Sequence, residues 1–251
     1  MVADGRTPRL AVLIDADNAS AKIAPGLFAE IAKIGEASVR RLYGDFSTPR
    51  MQSWRDVSPT FAIIEHHNRA HTSGKNASDI ALVIDAMDLL HSGRLDGFCL
   101  VSSDSDFTAL AARIREEGVD VFGFGEQKTP LSFRQACKRF IYTENLLPGT
   151  ADTGGGAEEK TQPSAIQPLT AATALIRTAI AQLEGEDGWV MLANVGNQLT
   201  NLAPDFDPRS YGKSKLSDLV MLTGGFEMRR EEGRGMFIRL KPAPAKSGGK
   251  K

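Results

Sequence analysis

The sequence predicts an α/β domain with a mostly parallel sheet flanked by helices, followed by a small winged-helix domain. Three observations carry this. Over residues 1–150, short apolar runs alternate with segments of helical period, the pattern of a parallel sheet covered on both faces. Two of those runs stop abruptly at acids, in LAVLIDADN and FCLVSSDSDF, as buried parallel strands do when they deliver carboxylates to their C-terminal edge. After residue 168 the pattern changes to three helical segments and then two short strand segments, the order of a winged helix.

The elements follow from local chemistry. Leu10–Ile14, Ser38–Tyr43, Phe61–Glu65, Phe98–Val101 and Val119–Phe124 read as strands, with helices at Ala21–Ile34, Arg50–Val57, Ser78–His91, Phe107–Glu117 and Pro130–Phe140. Ser78 is placed to cap the helix that carries Asp79 near its positive end. Ala81, Val83, Ile84, Met87 and Leu90 give that helix a broad apolar face. Gly93 and Gly118 follow helices, where a left-handed terminus favours glycine. Residues 151–167, with a Gly triplet and no apolar period, read as a flexible linker, and the biased tail 242–251 as disordered. In between, Leu169–Glu184, Trp189–Leu199 and Ser214–Met221 read as helices. Phe226–Arg230 and Gly235–Leu240 read as a hairpin turning at Glu231–Arg234, in which Phe226, Met228, Phe237 and Ile238 read as core positions.

Composition narrows the class. Hydrophobic content of 41% and charge of 24% suit a soluble globular chain. No apolar stretch is long enough to span a membrane, and the N-terminus MVADGRTPRL lacks an apolar signal core. Cys99 and Cys137 fall inside a strand and a helix pattern. They read as reduced, buried thiols, so the expected location is cytoplasmic. The first 150 residues are slightly acidic and the segment after 168 slightly basic, a weak sign that the second domain meets a polyanion.

The acids carry the chemistry. Asp15 ends the first strand, Asp104 ends the fourth, Asp106 opens the next helix, and Asp79 stands in the first turn of its own helix. In open α/β sheets ligands bind beyond the carboxyl ends of the strands. Carboxylates gathered there raise each other's pKa unless a cation neutralises them, and hard oxygen donors suit Mg²⁺ or Mn²⁺. Asn18 is placed to orient a phosphate or a water, and Ser102 and Ser103 to hydrogen-bond a phosphate. Asp17 is expected to point away from Asp15 if strand alternation continues. Asp106 has a plain alternative role as a helix cap. Asp85, well round the helix from Asp79, reads as a supporting residue.

The loop HHNRAHTSGK borders the same edge and holds His66, His67, His71, Arg69 and Lys75. Arg69 and Lys75 suit phosphate contact. A zinc site from HHxxxH lacks a clear fourth ligand. In the second domain Arg209, Lys213, Lys215, Arg229, Arg230 and Arg234 are the candidates for phosphate contact.

The motifs IDADN, GKNASDIALVIDAM, LVSSDSDF and GVDVFGFGE, in this order, resemble the NYN domain family. Its members are PIN-like, FEN-like, metal-dependent nucleases, and many bacterial members form a LabA-like branch. The family's acidic positions fall on Asp15, Asp79, Asp104 and Asp106, with Asn18 in support. The resemblance implies one or two Mg²⁺ or Mn²⁺ ions, activation of water and stabilisation of the leaving oxygen. Asp15-Ala16-Asp17 is also similar to the opening of a HAD phosphatase, but Asn18 and SSDSD fit the PIN-like pattern better. The pieces APDFDPRSYGKSKLSDLV, LTGGFEMRR and GMFIRL resemble an OST-HTH (LOTUS) domain. That family is associated with RNA, and some members bind helicase partners. The sequence thus implies a metal-dependent ribonuclease with a tethered RNA-binding module. The alternative is a non-catalytic RNA-binding adaptor. A homodimer and a helicase-type partner are further expectations.

Overall fold

The structure, a computed structural model, describes residues 5–67, 77–147, 167–183, 185 and 187–241. The chain divides into two compact units, Met1–Thr161 and Gln162–Lys251.

The first unit is built on a six-stranded sheet: β1 (Arg9–Asp15), β2 (Glu36–Gly44), β3 (Ile64–His67), β4 (Gly97–Val101), β5 (Asp120–Gly125) and β6 (Arg139–Tyr142). The order is β3-β2-β1-β4-β5-β6, and every neighbouring pair is parallel. The chain winds outward from β1 in one direction, then returns and winds outward from β4 in the other. The topological switch therefore lies between β1 and β4, where such sheets open a crevice at their carboxyl ends.

Helices α1 (Ala24–Ile31) and α2 (Gln52–Val57) cover one face; α3 (Ala77–His91), α4 (Phe107–Glu116) and α5 (Leu131–Ala136) cover the other. β1 shows why its run is apolar throughout. Leu10, Val12 and Ile14 enter a core with Leu27 and Trp54, whereas Ala11 and Leu13 enter a second core with Leu82, Leu110 and Phe133. Burying each large aliphatic side chain contributes roughly 1.5–3 kcal/mol, so a charge at Val12 or Leu13 would break one core or the other. Cys99 and Cys137 are free and buried, and burial pushes the Cys137 thiol up to about 12.

Several boundaries differ from expectation. The helix expected over Pro130–Phe140 ends at Ala136; Cys137 turns extended, and Arg139–Tyr142 pairs with β5 as a sixth strand. A four-residue strand is too short for its period to separate it from a preceding helix. The strand expected at Phe61–Glu65 is Ile64–His67, because Ala62 adopts φ 50° in a turn. The helix expected from Ala21 begins as a 3-10 turn (Ala21–Ile23) capped by Ser20, and the α-helix starts only at Ala24, with Pro25 in its first turn. Helix α3 starts at Ala77, so Ser78 lies inside it and is not its cap. Gly93 and Gly118 do take left-handed φ values, 65° and 77°.

The second unit contains α6 (Leu169–Ala181), β7 (Val190–Met191), α7 (Leu192–Leu202), α8 (Leu216–Thr223), β8 (Phe226–Glu231) and β9 (Gly235–Leu240). The antiparallel sheet runs β7-β9-β8. Its short first strand lies where the sequence suggested the start of a helix. Ile176, Ile180, Val195, Leu199, Val220, Phe226 and Ile238 form the core, and the Phe206 and Tyr211 rings pack 5.7 Å apart beside Leu219. Among the described residues no helix is long and apolar enough to cross a membrane. The linker at 151–166 and the tail from 242 lie outside the described residues; Gln167 donates its N–H to the Ser210 carbonyl within the second unit.

Candidate functional site

The site is built around Asp15, the last residue of β1 and only 1% exposed. After it the chain stops being a strand and folds back. The N–H groups of Asp17 (3.1 Å) and Asn18 (3.3 Å) donate to its Oδ1. Oδ2 accepts from the Asn18 amide and from the Ser102 hydroxyl, each at 2.7 Å. Burial pushes the Asp15 carboxyl above its ordinary range; the Asn18 and Ser102 donors oppose this, and the Asp17 charge adds to it. Asp15 is thus a buried, fully solvated-by-protein carboxylate at the centre of the switch point.

Asp79 approaches from the first turn of α3. Its carboxyl is pushed up to about 6, first by partial burial and then by the charges of Asp15, Asp104, Asp17 and Asp106. Five acids from three separate segments therefore converge, grading from buried Asp15 through half-buried Asp17, Asp79 and Asp104 to exposed Asp106. Asp17 is closer to this group than alternation implied: the chain turns after β1, and the Ser78 hydroxyl sits 3.4 Å from Asp17 Oδ2. Asp106 occupies the position before α4, yet its side chain makes no cap hydrogen bond. The loop is held instead by Asp104, whose Oδ1 accepts the Asp106 N–H at 2.9 Å.

The structure gives the two serines different parts. Ser102 is 2% exposed; its hydroxyl donates to Asp15 and accepts the Asp104 N–H at 3.0 Å. It positions the two acids and is not available to a phosphate. Ser103 Oγ accepts the Glu126 N–H at 2.8 Å, tying the β4 loop to the β5 loop. Gly125 makes that approach possible, since a Cβ there would stand 2.6 Å from the Ser102 carbonyl oxygen. Asn18 is exposed but spends its amide on Asp15.

A polar groove of about 360 Å³ opens beside the acids, lined by Asp17, Asn18, Arg50, Ser53, Glu126 and Lys128 among others. Arg50 donates to the Asp17 carbonyl at 2.6 Å, and Lys128 pairs with Glu126 at 2.7 Å. Neither cation belongs to a motif, and nothing local in the sequence marks them; the topology brings them from the loops after β2 and β5. Lys75, Arg69 and His71 lie outside the described residues. His66 turns away to a separate cluster in which Asp85 accepts from Arg41 (2.7 Å) and Tyr43 (2.8 Å) and faces His66 Nδ1 at 3.3 Å. Asp85 thus fastens α3 to β2 and β3.

In the second unit, Arg209 is taken up by Asp207, with contacts of 2.6 and 3.0 Å, and only 22% of its side chain is exposed. It braces the turn before Tyr211, with Nε and one terminal nitrogen given to Asp207. Lys215 and Arg230 are exposed and Lys213 is half-buried. Arg229 pairs with Glu231 at 2.6 Å, and Arg234 approaches the same carboxylate at 3.5 Å.

Among the described residues no group of three or more His, Cys, Asp or Glu side chains is drawn tightly enough to hold a metal ion. The donor chemistry nonetheless fits a hard divalent cation: the acids supply only oxygen, and their mutual repulsion already raises Asp79.

The family model for the NYN domain matches residues 9–146, and that for the OST-HTH/LOTUS domain matches residues 167–238. No curated protein matches the chain. Among solved structures, the chain is similar to VPA0982, a protein of unknown function from Vibrio parahaemolyticus. Identity is 19% over 55% of this chain and 94% of that one, with a TM-score of 0.45. An uncharacterized protein from locus NE0665 of Nitrosomonas europaea is 30% identical over 37% of this chain and 94% of its own, with a TM-score of 0.28. MurG of Acinetobacter baumannii is 12% identical over 79% of this chain and 65% of its own, with a TM-score of 0.37.

Proposed function

The chain belongs to the NYN domain family and carries a C-terminal OST-HTH/LOTUS domain, and from that premise we propose that it is a metal-dependent ribonuclease. The observation that carries this reading is the convergence of Asp15, Asp79, Asp104 and Asp106, with Asp17, at the carboxyl edge of β1 and β4. NYN domains are PIN-like nucleases, so the coarse activity follows from the family; RNA as substrate follows from the LOTUS domain, whose family binds RNA. Asp15, Asp79, Asp104 and Asp106 would hold a Mg²⁺ or Mn²⁺ ion, which would supply Lewis-acid activation of water and charge neutralisation at the leaving oxygen.

The chain's own residues do the rest. Ser102 and Asn18 fix Asp15, so the innermost charge keeps one orientation. Ser102 also fixes the start of the loop that carries Asp104 and Asp106. Arg50 and Lys128 flank the groove beside the acids and hold the phosphates of the strand as it enters. No covalent nucleophile is required.

One observation favours the second reading, an RNA-binding adaptor without turnover. Every oxygen of Asp15 already accepts hydrogen bonds, and the described acids are not drawn into a ligating cluster. The deciding experiment is cleavage of labelled single-stranded RNA and DNA with Mg²⁺ or Mn²⁺, wild type against Asp104→Asn. EDTA-sensitive cleavage by the wild type alone supports the nuclease. Binding without cleavage of any substrate supports the adaptor.

A further inference from the structure

Residues of the second unit's sheet alternate between its two faces. Val190, Phe226, Met228 and Ile238 pack into or against the core. Trp189, Arg229, Phe237 and Arg239 lie on the other face, with Glu227 and Glu231. The sequence placed Phe237 in the core; the register sets it opposite Arg229 instead. Two guanidinium groups lie over the Trp189 indole, Arg229 Cζ at 4.3 Å and Arg239 Cζ at 4.6 Å from its centre, and Arg229 also stands 5.9 Å from the Phe237 ring. Glu231 holds Arg229 and Glu227 holds Arg239, each at 2.6 Å.

This is a preorganised stack of flat groups on the outer side of a sheet. Folding does not require it, because the core closes on the opposite face. An indole and a phenyl ring kept at a half-exposed surface point to a ligand with flat faces. The surroundings point to a polyanion: from Phe226 to Lys241 there are five cations, Arg229, Arg230, Arg234, Arg239 and Lys241, against Glu227, Glu231 and Glu232. A flat-faced polyanion whose bases are free to leave their own stack is single-stranded nucleic acid; a duplex keeps its bases inside and offers only its backbone.

We propose that the outer sheet face centred on Trp189, with Arg229, Arg239 and Phe237, is where unpaired bases of single-stranded RNA dock, Arg234 meeting the phosphates. The choice of RNA over other polyanions rests on the function proposed above. The contact surface is then the sheet, and not the Lys213–Lys215 approach to α8.

The chain has two tryptophans, and the other, Trp54, is 2% exposed in the first unit. In the full chain carrying Trp54→Phe, emission therefore reports on Trp189. The titrant is a single-stranded oligoribonucleotide in EDTA, so binding is read without cleavage and is independent of whether the nuclease reading stands. The expected result is a saturable change in Trp189 emission. Trp189→Ala and Arg229→Ala each weaken binding about tenfold, the loss of roughly one stacked base, while Trp189→Phe keeps most of the affinity. Thermal melts establish that each variant is folded. Should Trp54→Phe not fold, anisotropy of labelled RNA with wild type, Arg229→Ala and Arg239→Ala gives the same comparison. Affinity unchanged in the sheet variants, loss confined to Lys213→Ala and Lys215→Ala, equal affinity for duplex, or no RNA binding at all would each overturn the proposal.

Discussion

The Ser102 hydroxyl stands 2.7 Å from Asp15 Oδ2 and joins the carboxyl ends of β4 and β1 across the switch point. The same hydroxyl accepts the Asp104 N–H, so one buried oxygen sets the positions of two acids. Ser102→Ala removes a donor from a buried carboxylate and an acceptor from a loop N–H. The expected cost is about 1–3 kcal/mol of stability in denaturant titration, because the partners are left unsatisfied. Cleavage is expected to fall as well, with a higher Mn²⁺ requirement. An unchanged Mn²⁺ requirement would leave Ser102 with a purely structural part.

Asp104→Asn is the cleanest probe of the proposed chemistry. The side chain is half-buried, and an amide oxygen can still accept the Asp106 N–H that organises the loop. Stability is expected to change by no more than about 0.5 kcal/mol, as for an ordinary surface substitution. Cleavage of RNA is expected to drop at least about a hundredfold, since a ligand charge is lost. The rise in melting temperature with Mn²⁺ should vanish with it. Retention of full cleavage would move the metal elsewhere.

Asp79 gives a pH prediction for the metal-free protein. Its folded pKa of about 6 lies above the ordinary carboxyl value of 3.8. The folded state therefore binds this proton more tightly than the unfolded chain. Its contribution to stability is fully present below about pH 4 and is lost as pH rises through about 6. The side chain is only half-buried, so screening by solvent reduces the effect to the order of 1 kcal/mol. Asp79→Asn should remove this part of the slope between pH 4 and 7 in EDTA, making the metal-free variant the more stable protein at pH 7. Parallel curves for the two proteins would contradict the crowding of charges at this edge.

Arg50 and Lys128 should behave as substrate contacts. Replacing either by Ala is expected to raise KM several-fold with kcat nearly unchanged, and to lower the salt dependence of binding by about one phosphate contact. The melting temperature should stay within about 2 °C of wild type, because both side chains are exposed. A drop confined to kcat would argue for a role at the reacting atoms.

Much of this site is legible in the sequence because a buried strand announces its end. LAVLI cannot continue past Asp15, nor FCLV far past Val101, without a change of environment, and parallel order then brings both ends to one edge. Asp17 was harder, since strand alternation stops applying once the Asp17 and Asn18 N–H groups fold back on Asp15. Arg50 and Lys128 carry no local signal; they meet the acids only through the sheet order. Arg209 shows the opposite difficulty: Asp207 lies two residues away in the sequence, but only the turn geometry reveals that it occupies the guanidinium. Phe237 was misassigned because a two-sided hairpin reads equally well with either face inward until a third strand, β7, fixes which one is covered.

The pairing of β1 with β4 also orders events during synthesis. Asp15 and Ser102 are 87 residues apart in the chain, and β4 is inserted beside β1 only after β2, β3 and α3 have been made. A nascent chain that has emerged as far as Met87 can pair β1 with β2 yet still leaves the inner edge of β1 bare. The acidic edge thus waits for β4 to join β1, by a contact of high sequence separation that is slow to close. A nascent fragment that ends before β4 therefore holds Asp15 and Asp79 but no Asp104, and its acidic edge stays incomplete until β4 is made.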